Sequence, residues 1–142
     1  MRINYTVNPE LRIEYYGQPF ISAGKYSAFK KITQPDAGRY KDRYVEYTTA
    51  ELEYDQSSNT YNVNDEGTFS FGNPDFNFRQ FRSNMVIRWE YLPGSTLFLV
   101  WSQGRTSTAT DGIFSYGNDM KDLFNKTPHN VFLVKFSYWF SL

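Results

Sequence analysis

The chain has 142 residues, enough for one ordinary domain, and Lys plus Arg (15) balances Asp plus Glu (15). That balance leaves no basic field for nucleic acid and no acidic tail. Aromatics reach 20%, from 12 Tyr, 13 Phe and 3 Trp, while cysteine is absent, which excludes a disulfide framework and a thiolate metal site.

The first segment, Arg2 to Val7, alternates apolar and polar residues and stops at Asn8–Pro9–Glu10, a short turn. A long strand is predicted from Leu11 to about Ile32, with Leu11, Ile13 and Tyr15 on one side and Arg12, Glu14, Tyr16 and Gln18 on the other. Gly17, Pro19 and Gly24 interrupt it and predict a bulge or bend. Residues 33–74 turn to Asp, Asn, Ser, Gly and Tyr, and two pieces, 43–54 and 59–71, are predicted to form a hairpin over Asp55–Gln56–Ser57–Ser58. A structureless loop of that length is unusual in a compact domain, so ordered hairpins are expected there.

Phe76 to Leu92 alternates most clearly. Between Phe81 and Tyr91 most odd positions are apolar or aromatic, while Arg82, Asn84, Arg88 and Glu90 fill even ones. Pro93–Gly94–Ser95 predicts a tight turn, and Thr96 to Arg105 returns as the second arm of a hairpin. Residues 106–128 form a second long loop in which Asn118–Asp119 is predicted to cap a short helix over Met120–Lys126. The last strand runs from Asn130 to Leu142, with Phe132, Val134, Phe136, Tyr138 and Phe140 at every second position.

Five strands result, all-β, in an antiparallel up-and-down meander whose short and long connections alternate. Transmembrane barrels sort their loops this way, and they combine many aromatics with low hydropathy because half of each strand faces a polar lumen. The mean hydropathy is indeed negative, and no apolar run nears the roughly 20 residues of a spanning helix. The expected architecture is therefore an incomplete transmembrane β-barrel in the cell outer membrane, covering residues 1–142, with loops 33–74 and 106–128 external. Ile87, Trp89 and Tyr91 then point to lipid, and the aromatics nearest the turn join an interfacial girdle.

The terminal alternation resembles the carboxy-terminal strand by which barrel-insertion machinery accepts outer-membrane proteins. Phe136, Tyr138 and Phe140 are the candidate insertion signal, and the departure from that pattern is Ser141–Leu142 after the last aromatic. Met1–Thr6 is already strand-like and lacks the basic start and apolar stretch of an export signal. About eight strands is the smallest closed bacterial barrel, so the expected partners include outer-membrane lipid, the insertion machinery and missing N-terminal strands of the same polypeptide.

Three strings are similar to segments of one large Gram-negative outer-membrane family: Tyr16–Gly17–Gln18–Pro19–Phe20–Ile21–Ser22–Ala23–Gly24, residues 73–84 from Asn73–Pro74–Asp75, and residues 88–105 from Arg88–Trp89–Glu90. In that family a periplasmic module resembling family-9 carbohydrate-binding domains precedes a long barrel of unassigned function. The resemblance implies a carboxy-terminal barrel segment and a link to carbohydrate handling, and it assigns no catalytic residue.

Inward positions on the predicted strands give the lumen-lining candidates Arg12, Glu14, Arg82, Asn84, Arg88, Glu90 and Lys135, which either shape permeation or simply brace the wall. Tyr40, Tyr44, Tyr47, Tyr54 and Tyr61 in the first loop are candidates for stacking on a ligand, and such tyrosines more often pack a loop against itself. Asp55, Asn59, Asn62, Asn64, Asp65 and Glu66 make an oxygen-rich run whose spacing matches no EF-hand, and the single histidine, His129, carries no motif. No nucleophile–base pair or glycine-rich phosphate cradle is legible, so neither catalysis nor a cofactor or metal is expected. The functional expectation is a wall segment of a conduit or receptor. The competing one is a soluble β-sandwich or small-barrel ligand-binding module.

Overall fold

The computed structural model describes residues 1–65 and 67–140. It is built mainly of antiparallel strands, with one α-helix. The strands are β1 (Arg2–Asn8), β2 (Leu11–Gly24), β3 (Lys30–Ile32), β4 (Tyr44–Glu46), β5 (Leu52–Asp55), β6 (Thr60–Asn64), β7 (Thr68–Gly72), β8 (Phe76–Leu92), β9 (Ser95–Ala109) and β10 (His129–Ser137). The helix α1 spans Tyr116–Asn125, and one 3-10 turn covers Tyr40–Asp42. The chain divides into two units, one of residues 1–22, 78–109 and 114–142, the other of residues 23–77 and 110–113.

The first unit holds a five-stranded sheet in the order β1-β2-β8-β9-β10. Its register follows the alternation. Ile3 opposes Tyr15 and Tyr5 opposes Ile13 on β1 and β2, while Trp101 opposes Phe132 and Leu97 opposes Phe136 on β9 and β10. Because successive side chains leave a strand on opposite sides, these pairs put aromatic and aliphatic groups on one face. Arg2, Thr6, Arg12 and Glu14 fall on the other. The expected turn at Pro93–Gly94 is present, with Gly94 at φ +77°, a conformation that costs any residue with a Cβ. Glu90 N–H donates to the Glu10 carbonyl at 2.8 Å, and the Phe20 and Phe78 rings lie 6.1 Å apart. The two short turns thus share one end of the sheet, and the long excursions start at the other.

The second unit contains β3 paired with β4, and the meander β5-β6-β7. The predicted hairpin over Asp55–Ser58 forms, with Asn59 at φ +53° closing the turn. Its second piece divides into β6 and β7, which pair with each other. Val63 is fully buried and anchors this unit.

β9 runs on to Ala109, past the expected Arg105, and the expected arm 43–54 splits into β4, which pairs β3, and β5. Three further boundaries differ from expectation, each for a local reason. β2 ends at Gly24 rather than Ile32: the Phe76 ring lies where a Cβ on Gly24 would sit, at 2.6 Å, and the Tyr26 N–H leaves the ladder for the Asp75 carboxylate. α1 begins four residues before Met120. Its N-cap is Ser115, whose N–H donates to the Asp119 carboxylate at 2.8 Å. β10 stops at Ser137, opposite Thr96, because β9 has then reached its turn and the Trp139 N–H donates to Ser95 Oγ instead, at 3.0 Å. Tyr138 and Phe140 therefore follow the ladder rather than belong to it. Ser141, Leu142 and Glu66 lie outside the described residues.

Candidate functional site

The five-stranded sheet presents two unlike surfaces. Its aromatic face carries Trp89 at 48% exposure, Phe132 at 73%, Val134 at 67% and Phe136 at 65%. Trp101 stacks on Phe132 with rings 4° from parallel, and Tyr91 stacks on Phe136 at 16°. Among the described residues the only fully buried apolar side chains are Val63 and Leu123, and neither belongs to this sheet. Met85 and Ile87 are half-buried by their strand neighbours alone. Burying an aliphatic or aromatic side chain gains roughly 1.5–3 kcal/mol in water, so a strip of this size is a large unspent driving force.

The aromatic strip has an upper boundary. Ser83 on β8 and Gln103 opposite Asn130 on β9 and β10 are polar, and beyond them the same face carries Arg79, Phe81 and Arg105. Among the described residues, only there does a protein layer cover this face. Arg79, with its side chain 4% exposed, meets Asp119 at 3.0 Å and Asp122 at 2.6 Å on α1. Leu123 is fully buried, and the Phe81 and Phe124 rings are 5.1 Å apart. Arg105 donates to the carbonyls of Phe124 and Lys126 and lies over the Phe124 ring, neutralising the helix C-terminus.

On the polar face the lumen-lining candidates resolve unevenly. Arg88 Nη2 meets Glu90 Oε2 at 3.2 Å, two residues along the same side of β8. Asn84 accepts from the Ser102 hydroxyl. Arg82 Nε–H donates to Gln80 Oε1 at 3.1 Å, and Lys135 lies 5.9 Å over the Phe98 ring. Arg12 and Glu14 oppose Thr6 and Asn4, and no side-chain hydrogen bond or ion pair holds either among the described residues. Between β2, β8, β9 and β10 this side of the sheet curves around an open hollow of about 730 Å³, whose lining also takes in Ser83, Gln103 and Arg105. Its lining adds Tyr16, Gln18, Gln80, Ser102 and His129, which sequence reasoning left unassigned. The available signal was phase: Tyr16 and Gln18 continue the even positions of Arg12 and Glu14.

The loop tyrosines pack mostly among themselves. Tyr61 stacks on Phe71 at 5.4 Å and lies 4.8 Å from Phe29 and 4.9 Å from Tyr54, and burial raises its pKa above the usual phenol value. Tyr40 packs on Tyr44, over which Lys30 sits at 4.4 Å. Tyr47 donates its N–H to the Phe29 carbonyl. Within the oxygen-rich run, Asp55 accepts from the Ser57 and Ser58 hydroxyls and the Ser57 amide, which hold its pKa down at about 2, and Asp65 pairs with Lys31.

These features define an antiparallel β-protein whose main sheet is aromatic and uncovered on one face and polar and hollowed on the other. Residues 1–141 match the family described as "Domain of unknown function (DUF5916)", and the chain belongs to that family. No curated protein and no solved structure matches it.

Proposed function

We propose that the chain is a wall segment of an outer-membrane β-barrel, with the aromatic face toward lipid and the polar face toward an aqueous lumen. The observation that carries this reading is the uncovered strip from Trp89 to Phe136 on a sheet that keeps its protein layer for residues beyond Ser83 and Gln103. The polar face is suited to a conduit or receptor, with charge pairs such as Arg88–Glu90 bracing the wall. Loops 33–74 and 106–128 are external in this reading, and the tyrosine-rich one offers surfaces for a ligand. The carbohydrate link rests on family resemblance alone.

Closure requires more strands. β1 and β10 are the sheet's edges, and each unpaired backbone group in hydrocarbon costs several kcal/mol. The proposed partners are further strands of the same polypeptide, lipid, and the insertion machinery that reads Phe136, Tyr138 and Phe140. The test is the behaviour of the full polypeptide: it should need detergent and run as a heat-modifiable band. A monomer in plain buffer with no heat-dependent gel shift refutes the proposal and favours a soluble binding module.

A further inference from the structure

We propose that the hollow on the polar face binds a small hydrophilic organic anion, a carboxylate-bearing solute rich in hydroxyls, with Arg82 as its charge anchor. The proposal rests on the barrel reading for its setting, since an aqueous lumen is what brings solute to this face.

Charge carries the first part of the argument. The chain is neutral as a whole, but its polar face is not. Arg2, Arg12, Arg82, Arg88 and Lys135 share that face with only two carboxylates, Glu14 and Glu90. Glu90 is already paired with Arg88. Among the described residues no Asp or Glu lines the hollow. A concave surface with one sign of charge concentrates counter-ions.

Geometry carries the second part. A guanidinium has five N–H donors, and Arg82 spends one, its Nε–H, on Gln80. That bond fixes the plane of the group, and no other hydrogen bond holds it among the described residues. The remaining donors form the fork that grips a carboxylate through two parallel bonds. Around it the lining offers neutral polar groups: the amides of Gln18, Gln80 and Asn84, the Ser102 hydroxyl and the Tyr16 ring. Amides both donate and accept, which matches hydroxyl groups, and the ring offers an apolar face to the carbon skeleton. The volume of about 730 Å³ falls within the size range of small-molecule sites. A cation would meet Arg82 with nothing to offset it, and a neutral sugar would leave the guanidinium unused.

The test is equilibrium dialysis of D-glucuronate, D-glucose and D-glucosamine against the full polypeptide in detergent at low salt. Glucuronate should be retained and the other two should not. Arg82→Gln should weaken glucuronate about ten- to hundredfold, the range for losing a hydrogen-bonded charge. Lys121→Gln, the same charge change on α1, should move it less than about threefold. Equal retention of glucose and glucuronate, or equal losses in the two variants, overturns the site. Glucuronate binding by a protein that needs no detergent and shows no gel shift leaves the site standing and removes the barrel. A heat-modifiable protein that retains no glucuronate does the reverse.

Discussion

Leu99→Arg separates hydrocarbon from water as the solvent of the aromatic face. Leu99 lies on β9 midway between Ser95 and Gln103 and is 39% exposed. At about 3.3 Å per residue those eight steps cover roughly 26 Å along the strand, or about 20 Å along the membrane normal at a tilt of ~40°. That is close to the roughly 25 Å apolar band of outer-membrane barrels, so in the proposed barrel Leu99 falls near the midplane. An arginine there costs about 2–4 kcal/mol, which lowers the folding equilibrium about thirty- to seven-hundredfold at ~1.4 kcal/mol per decade. In water the same change at a partly exposed position should stay within about 0.5 kcal/mol. The control is Val100→Arg, one residue along and on the polar face, with an expected cost below about 1 kcal/mol. The assay is urea titration of the full polypeptide folding into phosphatidylcholine vesicles, scored by the heat-dependent gel shift. Equal midpoints for Leu99→Arg and Val100→Arg refute the assignment of faces.

Other outcomes follow from individual contacts. Arg79→Met removes the ion-pair partner of the buried Asp119 carboxylate, which keeps the Ser115 N–H; with a penalty of up to about 3–5 kcal/mol for breaking a buried pair, amide exchange should lose protection over Tyr116–Asn125 while β8 keeps it. Gly94→Ala forces a Cβ into the left-handed region and to 3.2 Å from Trp139, and should cost about 1–2 kcal/mol in a denaturant titration. The Asp55 carboxylate has its pKa lowered from 3.8 to about 2 by the Ser57 and Ser58 donors. Its contribution is therefore complete above pH 4 and disappears as pH falls through 2. Nuclear magnetic resonance titration should show this, and Ser57→Ala should return the pKa toward 3.8.

Period-two alternation made the main sheet legible. β8 alternates through most of its 17 residues and ends at a proline–glycine turn, so its limits are those the sequence pattern predicts. Short strands such as β3 and β4 have no such run, and their pairing depends on partners brought close by folding. The start of α1 lies earlier than its composition suggests. Asn118–Asp119 has the composition of a cap, but Asp119 is committed to the Ser115 N–H and to Arg79 from distant β8. Among the polar-face residues, charge drew notice to Arg82 and Arg88. Gln80, Ser102 and Tyr16 complete the hollow and are unremarkable polar residues until the register sets them side by side.

The position of α1 bears on the solvent more directly than exposure does. In water the cheapest arrangement lays an amphipathic helix over the most apolar strip available, because burial gains roughly 25 cal/mol per Å² of apolar area. Here Met85, Ile87, Trp89, Leu97 and Leu99 offer that strip, yet the helix is anchored beyond it by Arg79, Phe81 and Arg105. The anchors are two guanidiniums, held by helix carboxylates and carbonyls, and one ring. In the proposed barrel, lipid would resolve the mismatch: hydrocarbon would already satisfy the strip, so covering it with protein would gain little, while above the polar line at Ser83 and Gln103 water would return and a protein layer would become worthwhile again. The same strand face thus changes partner where its side chains change polarity. If amide exchange in the membrane-embedded polypeptide instead found α1 protected together with Met85–Tyr91 as one dry layer, that division of the face into a lipid zone and a protein zone would be wrong.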